Sequence, residues 1–323
     1  MAHQTEIVIN GVTTEVTEFD HTAQEIDDGI DNLHTLTGGA TTPQGALANL
    51  GAGVRPNIAD NGNLIDAVNQ RQFVSTTQSG RILDRWEISS DATINVTYTK
   101  GSGLLLQNLG SAGNLFLTQK RERKLEEEKK YTLSVLTDKG LFSDSLSPGE
   151  SSYPTSGLYF SVVNRSGYGE FDIGVLAGGN SFLVKYVKVE DGEGQTLAYQ
   201  DSTGAWQLLP QPESDYATQL AKCQRYYYRS DMRYSAKPVY NNRYLHIPVQ
   251  FPVVMRISPT VTVKSFAGTV NMLSAWDSGL DAEISVSANA SDVSKDGIGS
   301  FFTESDMNMN AVYGFCIEAS ADL

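Results

Sequence analysis

The chain is poor in cysteine, histidine, positive charge and long apolar runs, and each scarcity narrows what it can be. Only Cys223 and Cys316 occur in 323 residues, far apart and without CxxC spacing. The expectation is two reduced core thiols in a protein that folds in a reducing cytosol, with a disulfide between them left open. The four histidines, His3, His21, His34 and His246, show no metal-ligand spacing. No EF-hand loop is present, so no metal and no cofactor is expected. Loop calcium on Asp60 or Asp84 is the minor alternative, as is a metal shared by three copies of one histidine on a symmetry axis. Lys and Arg number 24 against 38 Asp and Glu, a net charge of −14. That argues against a nucleic-acid backbone as partner and favours solubility. No apolar run reaches 18 residues, so no membrane insertion is expected. The start, MAHQTEIVING, lacks the basic and apolar regions of a secretory signal.

Chemical motifs are also missing. There is no G-x-S-x-G nucleophile elbow and no phosphate loop. The G-x-G pairs at Gly167–Gly169 and Gly192–Gly194 do not continue as GxGxxG and read as turns. Asp172, Glu190 and Asp191 are the carboxylates that a glycosidase reading would need to pair in a cleft. Nothing in the sequence singles them out.

What is present is mostly β pattern. Residues 6–9 and 12–16 are strand-like and flank Asn10-Gly11, a strong hairpin signal. Thr22–Glu25 is a capping box, followed by Ile26, Ile30 and Leu33 on one helical face. Thr42 and Pro43 open a second short helix carrying Leu47 and Leu50, which stops at Gly51–Gly53. Helices this short must pack their apolar faces on something. From about 56 to 195, strands are expected at 84–89, 93–98, 131–136, 158–163, 170–175 and 182–189. Gly/Ser/Asn-rich turns separate them, the pattern of a sandwich or jelly roll. Residues 196–213 read as a linker with a small hairpin turning at Ser202–Gly204. A helix then starts at a Ser214 cap, with Tyr216, Leu220, Cys223 and Tyr227 on one face, and about six strands follow to the end.

The helix ending KCQRYYYR, followed by IPVQFPVVMRISPTVTV, resembles the C-terminal domain of bacteriophage tail fibres and receptor-binding proteins. The segments FDHTAQEIDDGIDN and TPQGALANLGAGVRPN resemble the N-terminal adaptor of tail fibres of gut-associated phages. The middle region resembles jelly-roll modules of the carbohydrate-binding-module type, although Pro56–Asn61 departs from the usual opening string of that family. The resemblance implies a mainly β homotrimeric fibre with short N-terminal helices, a jelly-roll β-sandwich, and a C-terminal β-sandwich with one packed helix. Residues 1–55 would attach the chain to baseplate or tail proteins and trimerise through Ile26, Ile30, Leu33, Leu47 and Leu50. Residues 56–195 would be the jelly roll, 196–213 a linker, and 214–323 the receptor-binding tip. The implied function is adhesion to a host cell-surface polysaccharide by a virion protein made in the host cytoplasm, without enzymatic activity. A glycan depolymerase and a purely structural baseplate component are the alternatives.

Six of the fifteen tyrosines lie between Tyr226 and Tyr244 among Arg and Lys. Tyrosine and arginine are favoured in binding surfaces. Tyr226–Tyr228 read as core. Tyr234, Tyr240, Asn241 and Tyr244, with Trp276 and Asp277 of a second loop, are the expected receptor contacts.

Overall fold

The computed structural model describes residues 3–9, 12–18, 53–201, 203–212, 215–230, 232–276 and 286–322. The two expected N-terminal helices, with Ile26, Ile30, Leu33, Leu47 and Leu50, lie outside the described residues, as do Ser214 and Asp277. The chain is mainly β and divides into two compact units, Met1–Val54 with Thr196–Gln211 and Arg55–Gln195 with Pro212–Leu323. In the first unit β1 (His3–Ile9) and β2 (Val12–Glu18) pair antiparallel with Ile9 opposite Val12, the hairpin that Asn10-Gly11 predicts.

Twelve strands build the next region: β3 (Ser75–Thr76), β4 (Gly80–Arg81), β5 (Glu87–Ser90), β6 (Ile94–Thr99), β7 (Gly103–Asn108), β8 (Leu115–Arg121), β9 (Tyr131–Thr137), β10 (Gly140–Leu146), β11 (Ser151–Thr155), β12 (Leu158–Asn164), β13 (Gly169–Val175) and β14 (Ser181–Asp191). They form two six-stranded sheets, in the orders β10-β9-β14-β7-β6-β3 and β11-β12-β13-β8-β5-β4. Alternation explains why the sheets close on each other. Ile94, Val96, Leu133, Val135 and Val187 of one sheet, and Ile88, Leu117, Phe160, Phe171 and Ile173 of the other, share one buried core. Trp86 is buried in it and donates its indole N–H to the Asn61 carbonyl at 2.9 Å. The strand expected from Asp84 starts only at Glu87. Arg85 takes φ of 72°, and Trp86 N–H bonds back to Leu83 O in a turn.

The hairpin of β15 (Ala198–Gln200) and β16 (Trp206–Leu208) belongs to the first unit. The Asp201 carboxylate organises its turn, accepting from Thr203 N–H and hydroxyl, Ala205 N–H and the Gln207 amide. These bonds, the Thr203 hydroxyl foremost, hold Asp201 down at about 2.

Helix α1 (Tyr216–Gln224) is capped by Asp215, whose side chain accepts the Thr218 N–H at 2.9 Å. The cap is therefore one residue later than the sequence suggests. The remaining elements are β17 (Tyr227–Arg229), β18 (Tyr234–Ala236), α2 (Tyr240–Arg243), β19 (Tyr244–Leu245), β20 (Val249–Gln250), β21 (Thr260–Lys264), β22 (Met272–Trp276), β23 (Val286–Val293), β24 (Gly297–Thr303) and β25 (Val312–Ser320). The nine strands form one antiparallel sheet around a second core that includes Phe301, Phe315 and Ile317. Strand β25 explains why they form one sheet: β17 and β21 both pair with its C-terminal half, β18 and β22 with its N-terminal half. The α1 side chains reach the 55–86 segment of the sandwich. Gln219 Oε1 accepts the Asn61 N–H at 2.7 Å, and the Arg85 guanidinium lies over the Tyr226 ring just beyond the helix, 3.4 Å from its centroid. Cys223 is fully buried, Cys316 is half-buried, and neither is in a disulfide. No helix among the described residues is long and apolar enough to cross a membrane.

Candidate functional site: an aromatic and polar groove on the sandwich

The side chains of β5, β8, β13 and β12 that point away from the core line a groove of about 540 Å³. Strand register sorts them into rows. Tyr159, Gly174, Phe116 and Ser89 face one another across the four strands; beside them run Ser161, Asp172, Thr118 and Glu87. A third row holds Val163, Glu170 and Lys120.

The first row supplies apolar surface. The rings of Phe116 and Tyr159 meet edge to face, with centroids 5.9 Å apart. They lie over Gly174, where an added Cβ would come within 3.0 Å of both rings. A side chain here would press on the aromatic floor, so it is the rings rather than backbone conformation that favour glycine. Tyr153 of β11, two-thirds exposed, extends this surface, its ring 5.4 Å from that of Tyr159.

The second row supplies fixed polarity. Asp172 accepts hydrogen bonds from the Thr118 and Ser161 hydroxyls, each at 2.7 Å, one on each carboxylate oxygen. A carboxylate oxygen has room for a further donor after one such bond. Glu87 is tied to Lys120 at 2.5 Å and to Arg81 at 3.6 Å, and Glu170 to Arg165 at 3.0 Å. The acceptors are therefore held in place before any ligand arrives.

The residues expected from sequence to contact a receptor fall elsewhere, in two groups. The Tyr234 ring stacks on Phe315, centroids 5.7 Å apart. The Tyr244 ring packs on Phe302 at 5.2 Å and lies 6.4 Å from His246. Both tyrosines are half-buried parts of the C-terminal sheet. Asn241 is exposed in α2 with φ of 54°, and Tyr240 begins that helix. Trp276 ends β22 opposite Val312 of β25. The side chains of Tyr240 and Trp276, like Asp277, lie outside the described residues. Tyr226 and Tyr227 are buried, as the core reading has it.

Of the carboxylates a glycosidase reading would enlist, Asp172 is in the groove. Glu190 is fully buried, 2.9 Å from the equally buried Lys188 and 3.3 Å from Arg55. Asp191 is exposed near Lys129, away from the groove-lining residues. Among the described residues no cluster of His, Cys, Asp and Glu is arranged to hold a metal ion. The groove-lining aromatics Phe116, Tyr159 and Tyr168 were not singled out by sequence: Phe116 and Tyr159 sit within apolar strand runs, and Tyr168 lies in the bend between β12 and β13. Comparison of the chain with protein-family models, with curated proteins and with solved structures gives no match.

Proposed function

We propose that the chain is a glycan-binding adhesin of a phage or phage-derived particle, a tail-fibre or receptor-binding protein, with the groove of its sandwich as the sugar-binding site. The sandwich is read as a jelly roll of the carbohydrate-binding-module type. The observation that supports the reading best is the Tyr159–Gly174–Phe116 row beside Asp172 with its two hydroxyl partners. A pyranose ring carries an apolar C–H face and a rim of hydroxyls. It is matched by a ring-lined floor next to fixed acceptors in a concave site of this size. The resemblance of the N-terminal and C-terminal segments to tail-fibre parts supports the virion setting. In that setting residues 1–55 attach to baseplate or tail proteins, the fibre is a homotrimer, and the protein acts by adhesion without catalysis. Sugar contacts that are weak singly gain strength from three chains through effective concentration.

The test is binding of the full chain to host envelope polysaccharide, for the wild type and for Tyr159→Ala and Phe116→Ala. Each variant should lose about tenfold in affinity, the equivalent of about 1.4 kcal/mol, while the melting temperature stays nearly unchanged. Equal binding by all three proteins refutes the groove as the site. Release of reducing ends by the wild type would instead favour a depolymerase. No binding to polysaccharide or to intact cells would favour a purely structural role.

A further inference from the structure

A second concavity, of about 420 Å³, lies where the residues after β8 meet the end of α1. Its charge runs against that of the chain. Arg85, Arg121, Arg123, Lys222 and Arg225 line it, with Asp60 and Glu122 as its two carboxylates. Both carboxylates are engaged: Asp60 with Arg85 Nε at 3.1 Å, Glu122 with Arg225 Nη2 at 3.0 Å. Arg85 is spent as well, since it also donates to the Lys120 carbonyl and lies over the Tyr226 ring. Lys222 sits in the last turn of α1, where a cation offsets the negative helix end. That account does not extend to Arg121 and Arg123. They come from a different segment, flank Glu122, and make no ion pair or side-chain hydrogen bond among the described residues.

We propose that this cleft binds an oxyanion, a phosphate ester or the carboxylate of an acidic sugar, with Arg121 and Arg123 as its principal ligands. Guanidinium groups hold such anions through paired N–H donors. A concave site lined by one sign of charge concentrates the field on the ligand. Arg85, stacked on Tyr226 and tied to Asp60, forms a fixed cationic wall that needs no rearrangement on binding. The proposal does not depend on the groove binding glycans.

The experiment is calorimetric titration of the full chain with inorganic phosphate and, separately, with glucuronate. Ionic strength is held constant with chloride, and glucose serves as the neutral control. Saturable binding of at least one oxyanion is expected, and excess glucose should not displace it. The Arg121→Gln/Arg123→Gln double variant should weaken it at least about tenfold, since hydrogen bonds to charged groups of this kind contribute that much or more. Lys124→Gln, next in the chain but outside the cleft lining, and Tyr159→Ala in the groove should both leave it unchanged. Phosphate binding alone assigns the ligand as a phosphate ester; glucuronate binding alone assigns an acidic sugar. No saturable binding of either anion overturns the proposal, as does binding that the double variant leaves intact. Because both arginines lack an ion pair among the described residues, the double variant should melt as the wild type does.

Discussion

Replacing Asp84 by Asn should change the pH dependence of stability in a defined direction. Asp84 is fully buried at the turn that opens the sandwich, and its carboxylate accepts the Gln70 backbone N–H at 2.6 Å and the Gln70 side-chain amide at 3.2 Å. Burial pushes its pKa from 3.8 up to about 6, against the opposing pull of Arg71 and the two Gln70 bonds. The folded state therefore holds a proton that the unfolded state has released. Below the unfolded pKa this contribution to stability is fully present. It is lost as pH rises from about 4 through about 6, and it stays lost above that. A rise from 3.8 to about 6 corresponds to about 3 kcal/mol, a large share of the roughly 5–15 kcal/mol by which domains are stable.

Asp84→Asn removes the titration while its amide oxygen can still accept the Gln70 N–H. Urea unfolding of both proteins across pH 4 to 7 measures the difference, in which the many other titrating groups cancel. The gap should move in favour of the variant by about 2 kcal/mol between about pH 4 and pH 7, most of the full value. Parallel curves would show that Asp84 ionises in the fold as it does unfolded, and that its burial is compensated by groups other than Arg71 and Gln70.

Arg71→Ala should cost about 2–3 kcal/mol in denaturant unfolding, because Arg71 lies over the Tyr227 ring at 3.9 Å and pairs with Asp322 at 2.5 Å. Arg71→Lys should not restore the loss, since an ammonium lacks the planar stacking face. Gly174→Ala should weaken glycan binding more than it lowers the melting temperature, because the rings it displaces, Phe116 and Tyr159, are half-exposed and free to move outward. Light scattering on the full chain should give about three times the monomer mass if the apolar faces of Ile26, Ile30, Leu33, Leu47 and Leu50 meet around an axis; a monomer at micromolar concentration refutes the trimer.

Strands that face the core on one side were legible, and those at sheet edges were not. TINVTY alternates because one face is buried, and it falls on an observed strand, as does the apolar run LYFSVV. β10 and β11 went unread. They are the edge strands of the two sheets, mostly exposed or half-buried, and Pro154 interrupts β11, so neither carries a period-2 signal. β7 and β8 are interior, but LLL and LFL read as plain apolar runs of ambiguous type. The groove was illegible for another reason. Its lining comes from residues 87–89, 116–120, 159–163 and 168–172, which only strand pairing brings together.

The tyrosine–arginine stretch shows where composition stops informing. Its neighbours in sequence, Arg225 and Arg229, suggest local pairing or a binding patch. In the fold the cations over Tyr226 and Tyr227 are Arg85 and Arg71, about 150 residues away. Arg71 and Arg81 also reach Asp322 at the other end of the chain. Gln70 links Asp84 to the Tyr227 carbonyl, so the Asp84 turn shares these contacts. A buried aromatic pair under two arginines is a junction rather than an exposed receptor patch, because its faces are occupied. It follows that ligand-facing aromatics must be sought where rings stay half-exposed. Phe116 and Tyr159 meet that condition and Tyr226 and Tyr227 do not.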